Sequence, residues 1–390
     1  MNKIPISKPY LGAEEMEAVQ KPLQTGWVVQ GPYVKNFEDA FSVYTKSQFS
    51  AASTSCTTAL HLSVAALNLK PGQEVIVPAF TWVSTANVVE YMGAKPVFCD
   101  IDLKTYNIDP KKIEALITEK TVGMIPVHLF GLCAEMDPLL ELCKRHNLWM
   151  VEDAACAAGA WYKGKHAGTF GEFGCFSFHP RKSITTGEGG MVTSQDSEKD
   201  KLVRSLRDHG ASRTDLDRHT SKKGFLLPEY RHLGYNYRMT DIQGAVGEIQ
   251  MSRFPWILEE RRRQARFYDE ALSELPWISV PEIPEDYEHG YQAYVCHFKP
   301  EEVNYDQAMT FGEERNELMS ALENEGIATR QGTHAPVTQI YYKDKYNLSL
   351  EDFPNSVLAE QISLALPLFP SLTESDQQRV VDALLKFGPQ

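Results

Sequence analysis

The sequence predicts an α/β fold with a large and a smaller domain, and three observations carry that prediction. From about residue 50 to 195, short apolar runs alternate with stretches of helical spacing, the pattern of strands joined by helices. Those runs are apolar almost throughout rather than at every second position, which fits strands covered on both faces in a mostly parallel sheet. After a strongly amphipathic helix at 254–275 the alternation gives way to short strands and helices, which places a domain boundary near 250. The expected division is therefore 1–250 and 251–390, a length at which a second core is the default.

Taken in order, "EVIVPAF" (74–80), "KPVFCDI" (95–101), "VGMIPVHLF" (122–130), "LWMVEDAA" (148–155) and "FGCFSFH" (173–179) are strand candidates, rich in β-branched and aromatic residues. Between them "TALHLSVAALNL", "STANVVEYMG", "PKKIEALI" and "DPLLELCKRHN" carry helical spacing. Residues 211–230 are polar and weakly periodic, as expected of an excursion or lid. In the last third "YQAYVCHF", "IATRQGTH" and "ISLALPLF" are short strand candidates, and "TESDQQRVVDALLKF" is a helix with its own cap. Ligands of such sheets sit at the carboxyl ends of the strands, so residues there are the first candidates for chemistry.

Composition narrows the function classes. A formal charge of −13 argues against nucleic acid or an anionic membrane as the main partner. Seven scattered cysteines with no CxxC pair indicate neither a disulfide framework nor a zinc site, and no other metal site is indicated. The N-terminus lacks an apolar run of signal length and no stretch is long enough for a membrane span, so a soluble cytoplasmic protein is expected. The segment "GAWYKGKH" (159–166) matches a phosphate-binding loop by letter only. His166 stands where a Ser or Thr is needed, and a hairpin turn around 163–165 is the better reading.

"VEDAA" (151–155) puts Asp153 at the end of an apolar strand, where a carboxylate without a cationic partner is costly. "FSFHPRK" brings Lys182 to the end of another, before the glycine-rich "TTGEGG". Hydroxyls at Thr57 and Ser177, a polar-to-helical segment "STSCTTALHL" and a strand-end Trp82 complete a set that suits pyridoxal 5′-phosphate. That cofactor needs an amine, a carboxylate for its ring nitrogen, an aromatic plate and a phosphate site at a helix N-terminus.

With "TGWVVQGPYVKNFE", "VIVPAFTWVSTAN", "PVHLFG", "GTFGEFGCFSFHPRKSITTGEGGMV", "LGYNYRMTDIQGA" and "LPLFPSLTESD", the chain resembles the DegT/DnrJ/EryC1/StrS sugar aminotransferases over nearly its whole length. These belong to the fold type I, or aspartate aminotransferase, superfamily. The resemblance implies a large domain with a mostly parallel seven-stranded sheet and a smaller C-terminal α+β domain. It further implies that Lys182 binds the cofactor as a Schiff base, Asp153 pairs with its ring nitrogen and Trp82 stacks on the ring. Cys56, Thr57 and Ser177 would cradle the phosphate, and Asn236 would reach it from a partner subunit of a homodimer. Cys156 stands where many relatives carry Gln near the cofactor's phenolic oxygen. Trp27, Glu188 and His334 fall where the family approaches the donor or the sugar. Relatives with His in place of the lysine are dehydratases, a reading that the intact Lys182 removes.

The expected activity is transfer of an amino group from L-glutamate, which leaves as 2-oxoglutarate, to a nucleotide-linked keto sugar. The C4 ketone of an NDP-4-keto-6-deoxyhexose is favoured, in surface-polysaccharide, lipopolysaccharide O-antigen or glycan amino-sugar synthesis, with a C3 ketone as the alternative. A regulatory protein that binds the cofactor without turnover is the alternative from another class. Cysteine desulfurase-like chemistry would need a loop cysteine that the sequence does not offer.

Overall fold

Seven strands form the central sheet of the computed structural model, which describes residues 2–213, 216, 226–302 and 304–389. They are β1 (Phe49–Ser53), β2 (Glu74–Pro78), β3 (Lys95–Cys99), β4 (Thr121–Met124) and β5 (Trp149–Asp153), then, beyond a small hairpin of β6 (Trp161–Tyr162) and β7 (Lys165–His166), β8 (Phe173–Ser177) and β9 (Gly190–Ser194). Their spatial order is β1-β9-β8-β5-β4-β2-β3, and only β9 runs against its neighbours. Every other carboxyl end therefore lies along one edge.

The pleat splits the apolar runs between two cores. Val75, Val77, Val151 and Phe173 enter one cluster with the helices Cys56–Ala66 and Ser84–Tyr91. Ile76, Met150 and Phe176 enter the other, against helices Pro32–Thr45 and Met136–His146. This is the two-sided burial that the continuous apolar runs required.

One helix, Asp241–Leu272, crosses position 250 without a break. Its first half packs Met251, Phe254 and Ile257 into the second cluster, and its second half packs Ala265, Tyr268 and Leu272 into a third. That third cluster covers a small antiparallel sheet, β10 (Ile278–Ser279), β12 (Tyr294–Phe298) and β13 (Ser363–Leu366), while β11 (Tyr287–Glu288) joins β6 and β7.

Two strand expectations are corrected. The run 122–130 ends as a strand at Met124, because Pro126 offers no N–H and Leu129–Gly131 closes a 3₁₀ turn. "IATRQGTH" makes only isolated bridges, Ile327 to Ile4 and Arg330 to Ala365. The hairpin expected at 163–165 is present, with Trp161 opposite His166 and left-handed backbone at Lys163 and Gly164. Much of 211–230, expected as an excursion, lies outside the described residues. Among the described residues no helix is long and apolar enough to cross a membrane.

Strand alternation sends the Glu152 and Asp153 side chains to opposite faces of β5. Glu152 is fully buried, and its two oxygens accept from the amides of Gly168 (2.6 Å), Phe170 (2.7 Å) and Gly171 (2.7 Å). His128 Nε2 lies 2.9 Å from it, and since His128 Nδ1 accepts from the Ala134 amide, Nε2 is the donor. Glu152 thus holds the turn before β8 and has a structural role. Glu152→Gln keeps the shape but turns one acceptor into a donor facing N–H groups, so it should cost about 3 kcal/mol in chemical denaturation. A loss under about 1 kcal/mol would refute this account.

Candidate active site

Asp153 ends β5 with its carboxyl group buried. Thr85 Oγ1 donates to Oδ2 at 2.7 Å and the Ala155 amide donates to Oδ1 at 3.2 Å. Burial pushes the Asp153 pKa up. The bonds from Thr85 and Ala155, then the positive charges of Lys182 and His128, pull it back only in part. The group is a carboxyl that a nearby cation would favour in its charged form.

Lys182 lies in the excursion between β8 and β9, which is closed by Phe178 N to Gly189 O (2.9 Å) and Thr186 N to Phe178 O (3.1 Å). Its amide donates to His179 O at 2.8 Å, and its half-buried side chain brings Nζ to 3.1 Å from Cys156 Sγ. Cys156 therefore stands beside the amine. Gly190 opens β9 where a Cβ would meet the Ser55 carbonyl at 2.3 Å and the Cys56 amide nitrogen at 2.7 Å, so only glycine lets the helix N-terminus approach.

That helix, Cys56–Ala66, is capped by Ser55, whose hydroxyl accepts from Thr58 N at 3.2 Å. The amides of Cys56 and Thr57 are first-turn groups that a helix leaves without an internal acceptor. The Cys56 thiol lies 3.9 Å from Asp153 Oδ1, and burial raises its pKa well above the usual thiol value. Thr57 Oγ1 donates to Ser84 Oγ at 2.9 Å. Ser177, the last residue of β8, accepts from His179 N at 3.4 Å.

Trp82 is 59% exposed, unusual for so large an apolar ring, and stands at the same edge. Its carbonyl accepts from Thr85 N at 3.3 Å, which ties its turn to the residue that holds Asp153. The ring of His334 lies 6.5 Å from that of Trp82, and the His334 carbonyl accepts from Thr81 N at 3.2 Å. Among the described residues no cluster of three or more His, Cys, Asp and Glu side chains could hold a metal.

Contacts, direct or through Thr85 and Ser84, thus join Cys56, Thr57, Trp82 and Asp153, while Cys156 and Lys182 form a pair of their own whose positive charge acts on Asp153. Three other expected residues lie apart from this set. Glu188 is exposed, with its carboxyl 4.0 Å from His179 Nε2. Asn236 is exposed, its backbone bridged to Asp208. Trp27 Nε1 donates to Gln30 O at 3.3 Å in the turn before helix Pro32–Thr45. That turn is fixed by Asp241, whose Oδ1 accepts from Gly31 N and Val34 N at 2.9 Å each and so caps the helix from afar. Sequence reasoning passed over Thr85, Ser84 and Asp241, because a Ser, Thr or Asp at a helix start reads as an ordinary cap.

The chain is similar to known proteins over nearly its whole length. The chain is 36% identical over 382 residues to the spore coat polysaccharide biosynthesis protein SpsC of Bacillus subtilis, covering 98% of this chain and 96% of that one. Its fold matches the putative sugar aminotransferase Spr1654 from Streptococcus pneumoniae in its PMP form, with a TM-score of 0.89, 28% identity and 98% of both chains covered. It matches equally PseC of Helicobacter pylori, an aminotransferase involved in the biosynthesis of pseudoaminic acid, with a TM-score of 0.89, 26% identity and 99% of both chains covered. The model of one family matches residues 9–385, and with this likeness in fold and sequence the chain belongs to that family, the DegT/DnrJ/EryC1/StrS aminotransferases.

Proposed function

We propose that this chain is a pyridoxal 5′-phosphate-dependent enzyme that transfers the amino group of L-glutamate to a nucleotide-linked keto sugar. The favoured acceptor is the C4 ketone of an NDP-4-keto-6-deoxyhexose, in cytoplasmic synthesis of surface-polysaccharide amino sugars. The observation that carries the reading is the buried Asp153 carboxyl, which Cys56 at the open N-terminus of helix Cys56–Ala66 approaches and on which the positive charge of Lys182 acts.

The residues fit this cofactor. A carboxyl whose pKa burial raises is stabilised by a protonated ring nitrogen, and two first-turn amides offer donors to a phosphate. When bound, the cofactor supplies a conjugated ring that withdraws electrons from the carbon carrying the transferred nitrogen. Lys182 would anchor it through its amine and, once freed, would take the proton from the donor's Cα as general base and deliver it as general acid to the cofactor carbon it had held. Asp153, oriented by Thr85 and the Ala155 amide, would keep the ring nitrogen protonated. Cys56, Thr57 and Ser177 would hold the phosphate, and Trp82 would offer an aromatic plate to the ring.

The site is proposed to be completed by a second copy of the chain, with Asn236 serving the partner's phosphate pole. Exposed Leu227, Tyr230 and Leu233, close to Asn236 in sequence, support a covered surface there. Trp27, Glu188 and His334 are proposed to face the donor or the sugar.

Lys182→Ala should abolish turnover and the visible absorption of the bound cofactor, measured by spectroscopy and coupled assay; full activity would sink the mechanism. Asp153→Asn should slow turnover more than tenfold, or over about 1.4 kcal/mol of barrier. In the cofactor-free protein the sign reverses. Burial raises the folded pKa, so the charged carboxyl opposes folding once pH has risen through the ordinary carboxylate range. Cofactor-free Asp153→Asn should then be at least as stable as wild type at about pH 7, with the gap closing towards about pH 4. For the acceptor, incubation with L-glutamate and a panel of nucleotide-linked 4-keto and 3-keto sugars should give amination of the 4-keto compounds. Turnover of 3-keto sugars alone would refute the C4 assignment.

A further inference from the structure

Helix Pro354–Ile362 is tied to the large domain at its first turn. Asp100, buried just past the end of β3, accepts through Oδ1 from Ser356 N at 2.8 Å and Ser356 Oγ at 2.6 Å. Its Oδ2 accepts from Lys112 Nζ at 2.7 Å and Asn355 N at 3.2 Å, so the free amides at the helix start are capped from the sheet. At the other end Arg315 Nη1 donates to Glu360 O at 2.7 Å and Ser363 O at 3.0 Å. Held from both ends, the helix brings the buried Glu360 against the segment that carries His334. The Ala335 amide donates to Glu360 Oε1 at 3.2 Å, and His334 Nδ1 lies 3.2 Å from the same oxygen.

A carboxylate has no proton to give, so Nδ1 is the donor, and in a neutral imidazole the lone pair is then on Nε2. Gln331 is placed to impose the opposite state. Its Nε2 lies 3.3 Å from His334 Nδ1, and donation to Thr333 O at 3.1 Å fixes that end of the amide as the nitrogen. Without Glu360, Gln331 would donate to Nδ1 and the proton would move to Nε2. The His334 ring is half-exposed, stands 6.5 Å from that of Trp82 and, among the described residues, has no hydrogen-bond partner at Nε2. An open lone pair there selects a donor. The carboxylates of the amino donor, the ketone and the diphosphate all accept, which leaves the sugar's hydroxyls and the donor's amine. The amine must displace Lys182, whose side chain meets Cys156 and not His334. We infer that Glu360 is a positioning residue that keeps His334 protonated at Nδ1, so that Nε2 accepts from a hydroxyl of the acceptor sugar. The inference rests on the sugar aminotransferase reading above.

The test uses the holoenzyme with isotope-labelled histidine, the His334 signals being identified by their loss in His334→Phe. Nitrogen NMR at about pH 8, where an imidazole is ordinarily neutral, should show the proton on Nδ1 in wild type. It should stay there in Glu360→Gln, whose amide oxygen can take the place of Oε1, and move to Nε2 in Glu360→Leu. Two half-reactions are then followed apart: bleaching of the visible absorption by L-glutamate, and its return when the aminated enzyme meets the panel of keto sugars. Glu360→Leu should slow the return about tenfold, the worth of one neutral hydrogen bond, and the bleaching less than about twofold. Glu360→Gln should recover most of that loss. A wild-type ring protonated at Nε2, or at both nitrogens, overturns the assignment. So does an unchanged sugar step in Glu360→Leu, an equal slowing of both steps, or a slowing confined to L-glutamate. Should Glu360→Leu fail to load cofactor, the wild-type spectrum and His334→Phe decide, with slowing of the sugar step alone expected. Failure of the sugar aminotransferase reading looks different: the proton would sit on Nδ1 and respond to Glu360→Leu, yet no keto sugar would restore the absorption of the wild type.

Discussion

Burying the Asp153 carboxyl at the end of β5 works against charge solvation, and the surroundings are arranged to offset that only in part. Thr85 and the Ala155 amide supply two donors, and Lys182 contributes charge without making an ion pair. Had the fold supplied a direct arginine partner, the carboxyl would be neutralised and would have nothing left to offer a ring nitrogen. The incomplete pairing leaves the carboxyl open to a further cation, and several neighbours are arranged around it. Helix Ser84–Tyr91 must start where Thr85 reaches Oδ2, which brings Trp82 to the same edge. Helix Cys56–Ala66 must approach close enough for Cys56 to stand over Oδ1, which is possible because position 190 carries no side chain.

The neighbouring residue shows how one dipeptide serves two purposes. Strand geometry turns Glu152 away from the site into a pocket of three amides and a histidine, where all its acceptor capacity is used. That satisfied carboxyl pins the turn leading into β8, and β8 in turn carries Ser177 towards the excursion that holds Lys182. A fully bonded acid thus supports the placement of a partly bonded one. In the sequence the two look equivalent, and strand alternation alone separates the fully bonded acid from the partly bonded one.

Legibility followed side-chain size and apolarity. The strands β2, β3, β5 and β8 were readable because Val, Ile, Phe, Trp and Met crowd them, and the Asp and Lys near two of their ends were readable by contrast. β1 and β9 were not: "FSAAS" and "GMVTS" are built of small and polar residues, and they become strands only through antiparallel pairing with each other and, for β9, with β8. Pro126 cut short a run whose apolarity promised more strand. Of the candidate site, Asp153, Lys182, Cys56, Thr57 and Trp82 were legible, whereas Thr85 and Ser84 were not. A hydroxyl at a helix start signals a cap. Only the three-dimensional placement shows that Thr85 holds the acid.

The C-terminal third reaches the candidate site through hydrogen bonds and apolar packing rather than through a continuous sheet. Thr81 N donates to His334 O, Gln292 Nε2 to Arg181 O, and Gln292 N to Phe130 O at 3.0 Å. Each contact lands beside a residue of the carboxyl edge: Trp82, Lys182 and the turn that follows β4. The candidate groups on the central sheet are therefore held by local caps and strand pairing, while the C-terminal third is seated both by these polar bonds and by apolar packing, since Ala335, Val337, Tyr342 and Phe353 enter the cluster that holds Val75, Val77 and Val151. The placement of His334 depends on that packing, and the placement of Asp153 on strand pairing within the sheet.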